Sequence, residues 1–296
     1  MTDVIIIGSG PAGVSAALYA KRGGADVTVF TKGIQTGSLA QAKLIENYHG
    51  LAEPISGLEL SKQAIAGAKR LGIPLQQEEV VGLTFNDSFT GFKVQTQQGD
   101  YEAKSVILAA GASRKKLRVP GFDQFDGKGI SYCAICDAFF YRGKTVAVVG
   151  SGEYALHEVR DLLPHAAKVL LLTNGAEPTA EFPPEVEIHT EKLQEILGDA
   201  RVTGVLLANG EQLNVDGLFL AIGTAGSVEL AKKIGALLDG NNIKIDAHGA
   251  TNVPGLFAAG DNTGGLLQVA KAVYQGAEAG LSAVHYLRAQ KEKAAK

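Results

Sequence analysis

Apolar residues in this chain come in short runs that stop at a glycine. Val4-Ile5-Ile6-Ile7 ends at Gly8, Lys104 to Ala109 is closed by Gly111, Thr145 to Val149 leads into Gly150, Leu218 runs to Gly223, and Leu256 runs to Gly260. A short continuous run rich in β-branched residues, closed by a turn residue, predicts a strand buried on both faces. Asp26 to Phe30, Val80 to Phe85, Phe92 to Thr96 and Lys168 to Leu172 read as further strands. Helical spacing takes over after Gly13, where Val14, Ala17 and Leu18 follow, again from Leu58 to Leu71, and from Gln268 to Leu287, beyond which a lysine-rich tail is expected to fray. Between Gly33 and Gly57 the pattern is polar and irregular, with Asn47-Tyr48-His49-Gly50 at its centre. Strands alternating with helices predict an α/β fold.

Two strand-to-helix turns share one glycine spacing. In Gly8-Ser9-Gly10-Pro11-Ala12-Gly13, Gly8 permits the tight turn, Gly10 lets the backbone approach a pyrophosphate, and Gly13 lets helix and strand pack closely. The helix N-terminus adds free amides and the positive end of its dipole. Gly150-Ser151-Gly152-Glu153-Tyr154-Ala155 repeats the motif with Ala155 where Gly13 stood. The Glu153-Tyr154 pair is expected to put a charge and a bulky ring where a pyrophosphate would approach. The repetition predicts two Rossmann-like, three-layer (ββα) dinucleotide-binding domains. Val253 to Asp261 reads as the closing strand of the first. The first domain is therefore expected at 1–113 and 245–296, with the second, 114–244, inserted into it. The basic, Pro- and Gly-containing run from Ser113 to Gly121 reads as the crossover. After the strand ending at Phe30 many nucleotide sites place an acid on the ribose. Here Thr31-Lys32-Gly33 follows, so another group must make that contact.

Composition narrows the function. The 296 residues suffice for two cores. A formal charge of -3 lacks the basic surplus that nucleic-acid binding requires. No apolar run approaches the ~20 residues of a membrane span, and no charged leader precedes an apolar segment. A cytoplasmic protein is expected, and there a lone cysteine pair is more often catalytic or metal-binding than structural.

The two cysteines of the chain are Cys133 and Cys136. A Cys-x-x-Cys pair can close as a disulfide and reopen as a dithiol, and its thiol pKa falls at a helix N-terminus. Two-electron thiol exchange is therefore the chemistry on offer. A structural zinc site needs about four ligands, and the six histidines are scattered, so no metal is expected; a static staple is the remaining alternative.

Gly-Ser-Gly-Pro-Ala-Gly in the first module, Cys-Ala-Ile-Cys-Asp ahead of the second glycine motif, and the closing Ala-Ala-Gly-Asp together resemble the low-molecular-weight thioredoxin reductases, over essentially the whole chain. The resemblance implies FAD on the first module, with Gly8, Ser9, Gly10, Pro11, Ala12 and Gly13 at the pyrophosphate. Further FAD contacts are implied at Lys32, Asn47, Val81 and Gly111. Gly260 and Asp261 match the segment at the ribityl chain and phosphate, and Gln268 and Val269 lie in the stretch along the flavin ring. It implies homodimers whose domains swivel, with Cys136 facing the flavin, Cys133 attacking the disulfide of thioredoxin, and Asp137 managing the proton. The alternative role for Asp137 is a helix N-terminal charge partner, worth about 0.3 to 1 kcal/mol.

The chain departs from that family where NADPH should bind. Relatives follow the second strand of this module with His-Arg-Arg, which holds the extra phosphate. Here Thr173-Asn174-Gly175-Ala176-Glu177-Pro178 follows, with Glu181 and Glu185 beyond. The ferredoxin-dependent flavin thioredoxin reductases show the same loss, and in this the chain resembles them most. Ferredoxin near about -400 mV and thioredoxin near about -270 mV leave roughly 6 kcal/mol for two electrons. Acidic residues outnumber basic ones between 114 and 244, so the Arg114 to Arg118 run is the best local patch for an acidic ferredoxin. An NAD(P)H-dependent reductase with an altered site, and an FAD-holding redox sensor without turnover, stay open as alternatives.

Overall fold

The computed structural model describes residues 1–111, 117–132, 134–222 and 226–294, apart from the side chains of residues 41, 135 and 136. Cys133, the linker residues Arg114, Lys115 and Lys116, and Gly223 lie outside the described residues. The chain forms two compact units, 1–113 with 226–296 and 114–225.

In the first unit β1 (Thr2–Ile7) leads into the glycine turn and α1 (Pro11–Arg22). Pro11 opens that helix at a position whose N–H has no intrahelical partner anyway. β2 (Val27–Phe30) and an irregular stretch with short 3₁₀ turns precede α2 (Gly57–Arg70). The Ser56 hydroxyl caps α2 by accepting the Glu59 N–H at 3.2 Å. β3 (Leu75–Gln76), β4 (Val80–Phe85), β5 (Phe92–Thr96) and β6 (Asp100–Leu108) complete this half of the unit. β1 lies parallel between β2 and β6, and the first half of β6 pairs antiparallel with β5, which pairs with β4.

The second unit holds α3 (Phe122–Phe125), β7 (Ile130–Ser131), α4 (Ala134–Asp137), β8 (Thr145–Val149), α5 (Glu153–Leu162) and β9 (Lys168–Leu172). β10 (Glu187–His189), β11 (Leu193–Gly198), β12 (Val202–Leu207), β13 (Gln212–Asn214) and β14 (Gly217–Leu220) follow. Its parallel sheet runs β10-β9-β8-β14-β7 among the described residues, and β11, β12 and β13 form an antiparallel sheet. Both units thus combine a parallel sheet, an antiparallel trio and helices, as the repeated motif predicts.

The chain then returns to the first unit through α6 (Ser227–Lys233), β15 (Leu238–Asp239), β16 (Asn242–Ile243), β17 (Leu256–Ala258) and α7 (Val269–Ala294). The return falls at 226 and not at the expected 245. Ser227 is fully buried and its hydroxyl accepts the Ala110 N–H at 3.0 Å, which ties α6 to the end of β6. The last helix also runs past Leu287 to Ala294. Residues 288–294 contain no Gly or Pro and favour helix, and Arg288 donates to the Gly23 carbonyl at 3.0 Å.

α7 fixes α1. A methyl at Gly276 would lie 2.1 Å from the Ala12 oxygen and one at Gly280 2.5 Å from the Ala16 oxygen, so only glycine allows this approach. Ser15 adds a hydroxyl bond to the Val273 carbonyl at 2.7 Å. No helix among the described residues is long and apolar enough to cross a membrane.

Candidate functional site

β1, β6 and β17 are neighbours in register, with Ile7 beside Leu108 and Leu108 beside Ala258. Gly8, Ala109 and Gly260 therefore emerge together at the carboxyl ends of adjacent parallel strands, where open α/β sheets bind ligands. Gly8 takes φ +112°, and a methyl at Gly13 would meet the Gly8 oxygen at 1.9 Å. Gly10 differs, since nothing lies within 4 Å of the methyl it lacks. That free space lies before the first amides of α1, as a phosphate cradle requires. Pro11 and Ala12 open the helix, and Ser9 shares a 2.7 Å hydroxyl contact with Thr31, the residue after β2.

The far wall comes from the other end of the chain. Asn47 donates to Gln268 Oε1 at 3.1 Å across 221 positions, which joins two predicted cofactor residues just ahead of Val269, the first residue of α7. Gly260 has φ +91° and precedes Asp261 in a short 3₁₀ turn. Lys271 Nζ donates to the carbonyls of Gly260 at 2.7 Å and Gly264 at 2.6 Å and to the Thr263 hydroxyl at 3.1 Å. Burial pushes the Lys271 ammonium below the usual lysine range, with Asp261 opposing. Asn262 is fully buried; its amide donates to the Leu108 carbonyl at 2.8 Å, while its Oδ1 is buried without a partner. Of the other predicted contacts, Lys32 is paired with Glu79 at 2.9 Å, Val81 is buried in β4, and Gly111 takes φ +73° just past β6.

In the second unit Cys133 lies outside the described residues, and for Cys136 only the backbone is described, in α4. The segment around them is braced at both ends. Ser131 Oγ donates to Asp137 Oδ2 at 2.6 Å, tying the residues that flank the Cys-x-x-Cys stretch. Asp137 is the last residue of the single turn α4 and the N-cap position of the 3₁₀ turn that follows, so the role of helix N-terminal charge partner stays open beside the proton role. The Tyr154 hydroxyl donates to the Tyr132 carbonyl at 3.2 Å, and Glu158 Oε2 accepts the Ala134 N–H at 2.5 Å. The expectation that Tyr154 obstructs a pyrophosphate is corrected here, because its ring is 2% exposed and faces the core. Beyond α4, Phe139 and Phe140 are each 67% exposed.

The second glycine turn differs from the first in one contact. The Thr179 N–H and hydroxyl both reach the Ser151 carbonyl, at 2.7 and 3.2 Å. A methyl at Gly152 would meet that hydroxyl at 3.2 Å, whereas the corresponding space at Gly10 is open. Asn174 adopts φ +54° and its Oδ1 accepts the Leu193 N–H at 2.8 Å, which turns the segment back after β9. Among the described residues no cluster of three or more His, Cys, Asp or Glu is placed to hold a metal ion.

A family model described as pyridine nucleotide-disulphide oxidoreductase matches residues 2–276. A thioredoxin reductase of Aquifex aeolicus is 35% identical over 309 residues, spanning 98% of this chain and 94% of the relative. The chain belongs to the low-molecular-weight thioredoxin reductase family. Among solved members, the atypical thioredoxin reductase TRi of Desulfovibrio vulgaris Hildenborough is 35% identical with a TM-score of 0.90, over 97% of this chain and 98% of that one. A ferredoxin-flavin thioredoxin reductase of Clostridium acetobutylicum is 34% identical with a TM-score of 0.72, over the same shares of each chain.

Thioredoxin reductases of this family are FAD flavoproteins, and the first unit fits that cofactor: the open face of Gly10, the left-handed glycines at 8 and 260, and the Asn47–Gln268 bridge form a cradle for a dinucleotide. Lys271, Thr31, Ser131 and Glu158 escaped the sequence reading. Glu158 carried a readable signal, an acid on the helical face otherwise made by Tyr154, Ala155, Val159 and Leu162. Ser131 and Thr31 carried none, because a hydroxyl partnered through the fold leaves no local pattern.

Proposed function

We propose that this chain reduces the disulfide of thioredoxin with electrons from reduced ferredoxin, through FAD on the first unit and the Cys133/Cys136 pair on the second, as a homodimer. The choice of donor rests on one observation: Thr179 sits on the glycine turn where a nicotinamide dinucleotide would lay its pyrophosphate. The absence of Arg and Lys from 173 to 186 supports the same choice, since a 2′-phosphate would find no cation in that segment. The likeness to a ferredoxin-flavin thioredoxin reductase supports it as well.

FAD, when bound, accepts electrons singly and gives them up in pairs. Gly8 to Gly13 would hold its pyrophosphate, and Asn47 and Gln268, bonded to each other, would brace the wall beside it. In the second unit two electrons and two protons convert the Cys133–Cys136 disulfide to two thiols. The Cys133 thiolate then attacks one sulfur of the thioredoxin disulfide and expels the other. Cys136 attacks the mixed disulfide, and thioredoxin leaves with two thiols while the pair closes again. Asp137, held by Ser131 at 2.6 Å, carries the proton to and from the pair. Phe139 and Phe140 offer apolar surface beside the pair to a protein substrate. Tyr274 and Leu281, two turns apart on α7, are exposed at 60% and 37% and offer a face to a second copy.

Anaerobic titration of the bound flavin tests the donor. Reduced ferredoxin should bleach it quickly, and NADPH, even at millimolar level, slowly or not at all. The opposite ranking returns the protein to the nicotinamide-dependent reductases.

A further inference from the structure

The second unit keeps a carboxyl group inside its core. Glu158 is 1% exposed and sits on the buried face of α5. Burying such a group is costly unless it is hydrogen-bonded or paired. Its Oε2 accepts the N–H of Ala134 at 2.5 Å, and that N–H belongs to the peptide bond joining Cys133 to Ala134. We propose that Glu158 is a positioning residue that sets the reduction potential of the cysteine pair, holding it strongly reducing. The proposal rests on the reading of the pair as redox-active.

Two effects point the same way. A Cys-x-x-Cys thiolate is ordinarily stabilised by the amides and dipole at the start of the helix that follows. Here the first amide of α4 is spent on Glu158. A buried carboxylate beside the turn also disfavours a second negative charge near it. The thiolate is disfavoured on both counts, so the reduced state is less stable relative to the disulfide and the pair gives up electrons more readily. Asp137 adds negative charge on the same turn. Tyr141 follows it with Arg201 facing its hydroxyl, and His157 lies 3.6 Å from Asp161 on α5. The turn is braced independently by Ser131–Asp137 and Tyr154–Tyr132, so removing the charge at 158 need not dissolve it.

A merely structural acceptor is separable from this role. Glu158→Gln keeps shape and an acceptor oxygen for the Ala134 N–H and removes the charge; Glu158→Ala removes both. The full chain is equilibrated with reduced and oxidised dithiothreitol in fixed ratios, and free thiols are counted by alkylation and mass spectrometry. Glu158→Gln should move the equilibrium about tenfold toward the dithiol, a potential about 30 mV less negative for two electrons, with faster alkylation at neutral pH and an unchanged melting temperature. Glu158→Ala, which also frees the Ala134 amide, should show a larger shift in the same direction together with a lower melting temperature. A Gln variant with the wild-type equilibrium, whatever the Ala variant does, overturns the proposal. Dithiothreitol reports on the pair without ferredoxin, flavin reduction or thioredoxin. Failure of the functional reading would therefore appear as absent thioredoxin reduction while the Gln shift persists.

Discussion

Gly10 and Gly13 belong to one motif and serve different ends. The methyl that Gly10 lacks would enter empty space, while the one that Gly13 lacks would strike the Gly8 carbonyl at 1.9 Å. Gly10 has φ -70°, which alanine adopts freely. Gly10→Ala should therefore fold with a near-wild-type melting temperature and lose flavin absorbance, because the methyl takes the place of the pyrophosphate. Gly13→Ala should destabilise the first unit by about 1–3 kcal/mol or more, since a backbone oxygen cannot step aside as a side chain would. Equal melting temperatures for the two variants would contradict this division. The close packing at Gly13 was legible in the sequence because glycine spacing reports backbone geometry directly. The Ser9–Thr31 contact and the Lys271 clamp were not, since each joins positions through the fold without a repeated pattern to announce it.

At the scale of elements, continuous β-branched runs made the parallel strands readable, because burial on both faces leaves no polar alternation to confuse them. Where two local signals competed, the weaker one was missed. Tyr154 falls in a glycine motif and also on the apolar face of α5, and the core claimed it. The short turn after α4 gives a similar lesson in Tyr141, whose ring meets Phe219 edge-on at 5.2 Å and covers Gly217, where a methyl would come within 2.2 Å. Burial pushes the Tyr141 hydroxyl above the usual tyrosine range; Arg201 partly offsets this and Asp137 adds to it. The folded protein thus holds this proton after the unfolded chain has released it near pH 10. The resulting stability is fully present below about pH 10 and is lost as pH rises from there through the folded-state value. Tyr141→Phe keeps the ring and removes the titration, so between about pH 9 and 11 wild type should lose more stability than the variant in denaturant melts. Tyr101 and Tyr286, also raised, are present in both proteins and cancel in the comparison. Equal losses would show that Tyr141 ionises as freely in the folded protein as in the unfolded chain.

For the whole molecule, the repeated motif made two nucleotide-type units readable, but not where the chain returns to the first. The helix at 227–233 carries no motif that names its unit, and its packing against β4 and β16, with the Ser227 bond to the end of β6, assigns it to the first. The division that results separates two chemistries along the chain: the open glycine turn, Asn47, Gln268 and Asp261 belong to one unit, and the cysteine pair with its braces to the other. Cofactor retention and disulfide exchange should then fail independently. In Cys133→Ser and Cys136→Ser, flavin content and its bleaching by reduced ferredoxin should match wild type, because neither residue belongs to the unit with the cradle. Thioredoxin reduction should drop to the uncatalysed background in both, because one sulfur can neither accept an electron pair as a disulfide nor resolve a mixed disulfide. Cys133→Ser and Cys136→Ser should differ in one respect. With Cys133 intact and Cys136 replaced, attack on thioredoxin still proceeds and the mixed disulfide accumulates, visible by mass spectrometry; with Cys133 replaced it does not. Turnover surviving in either variant would mean that electrons reach thioredoxin by a route that bypasses the pair, and the second unit would need another purpose.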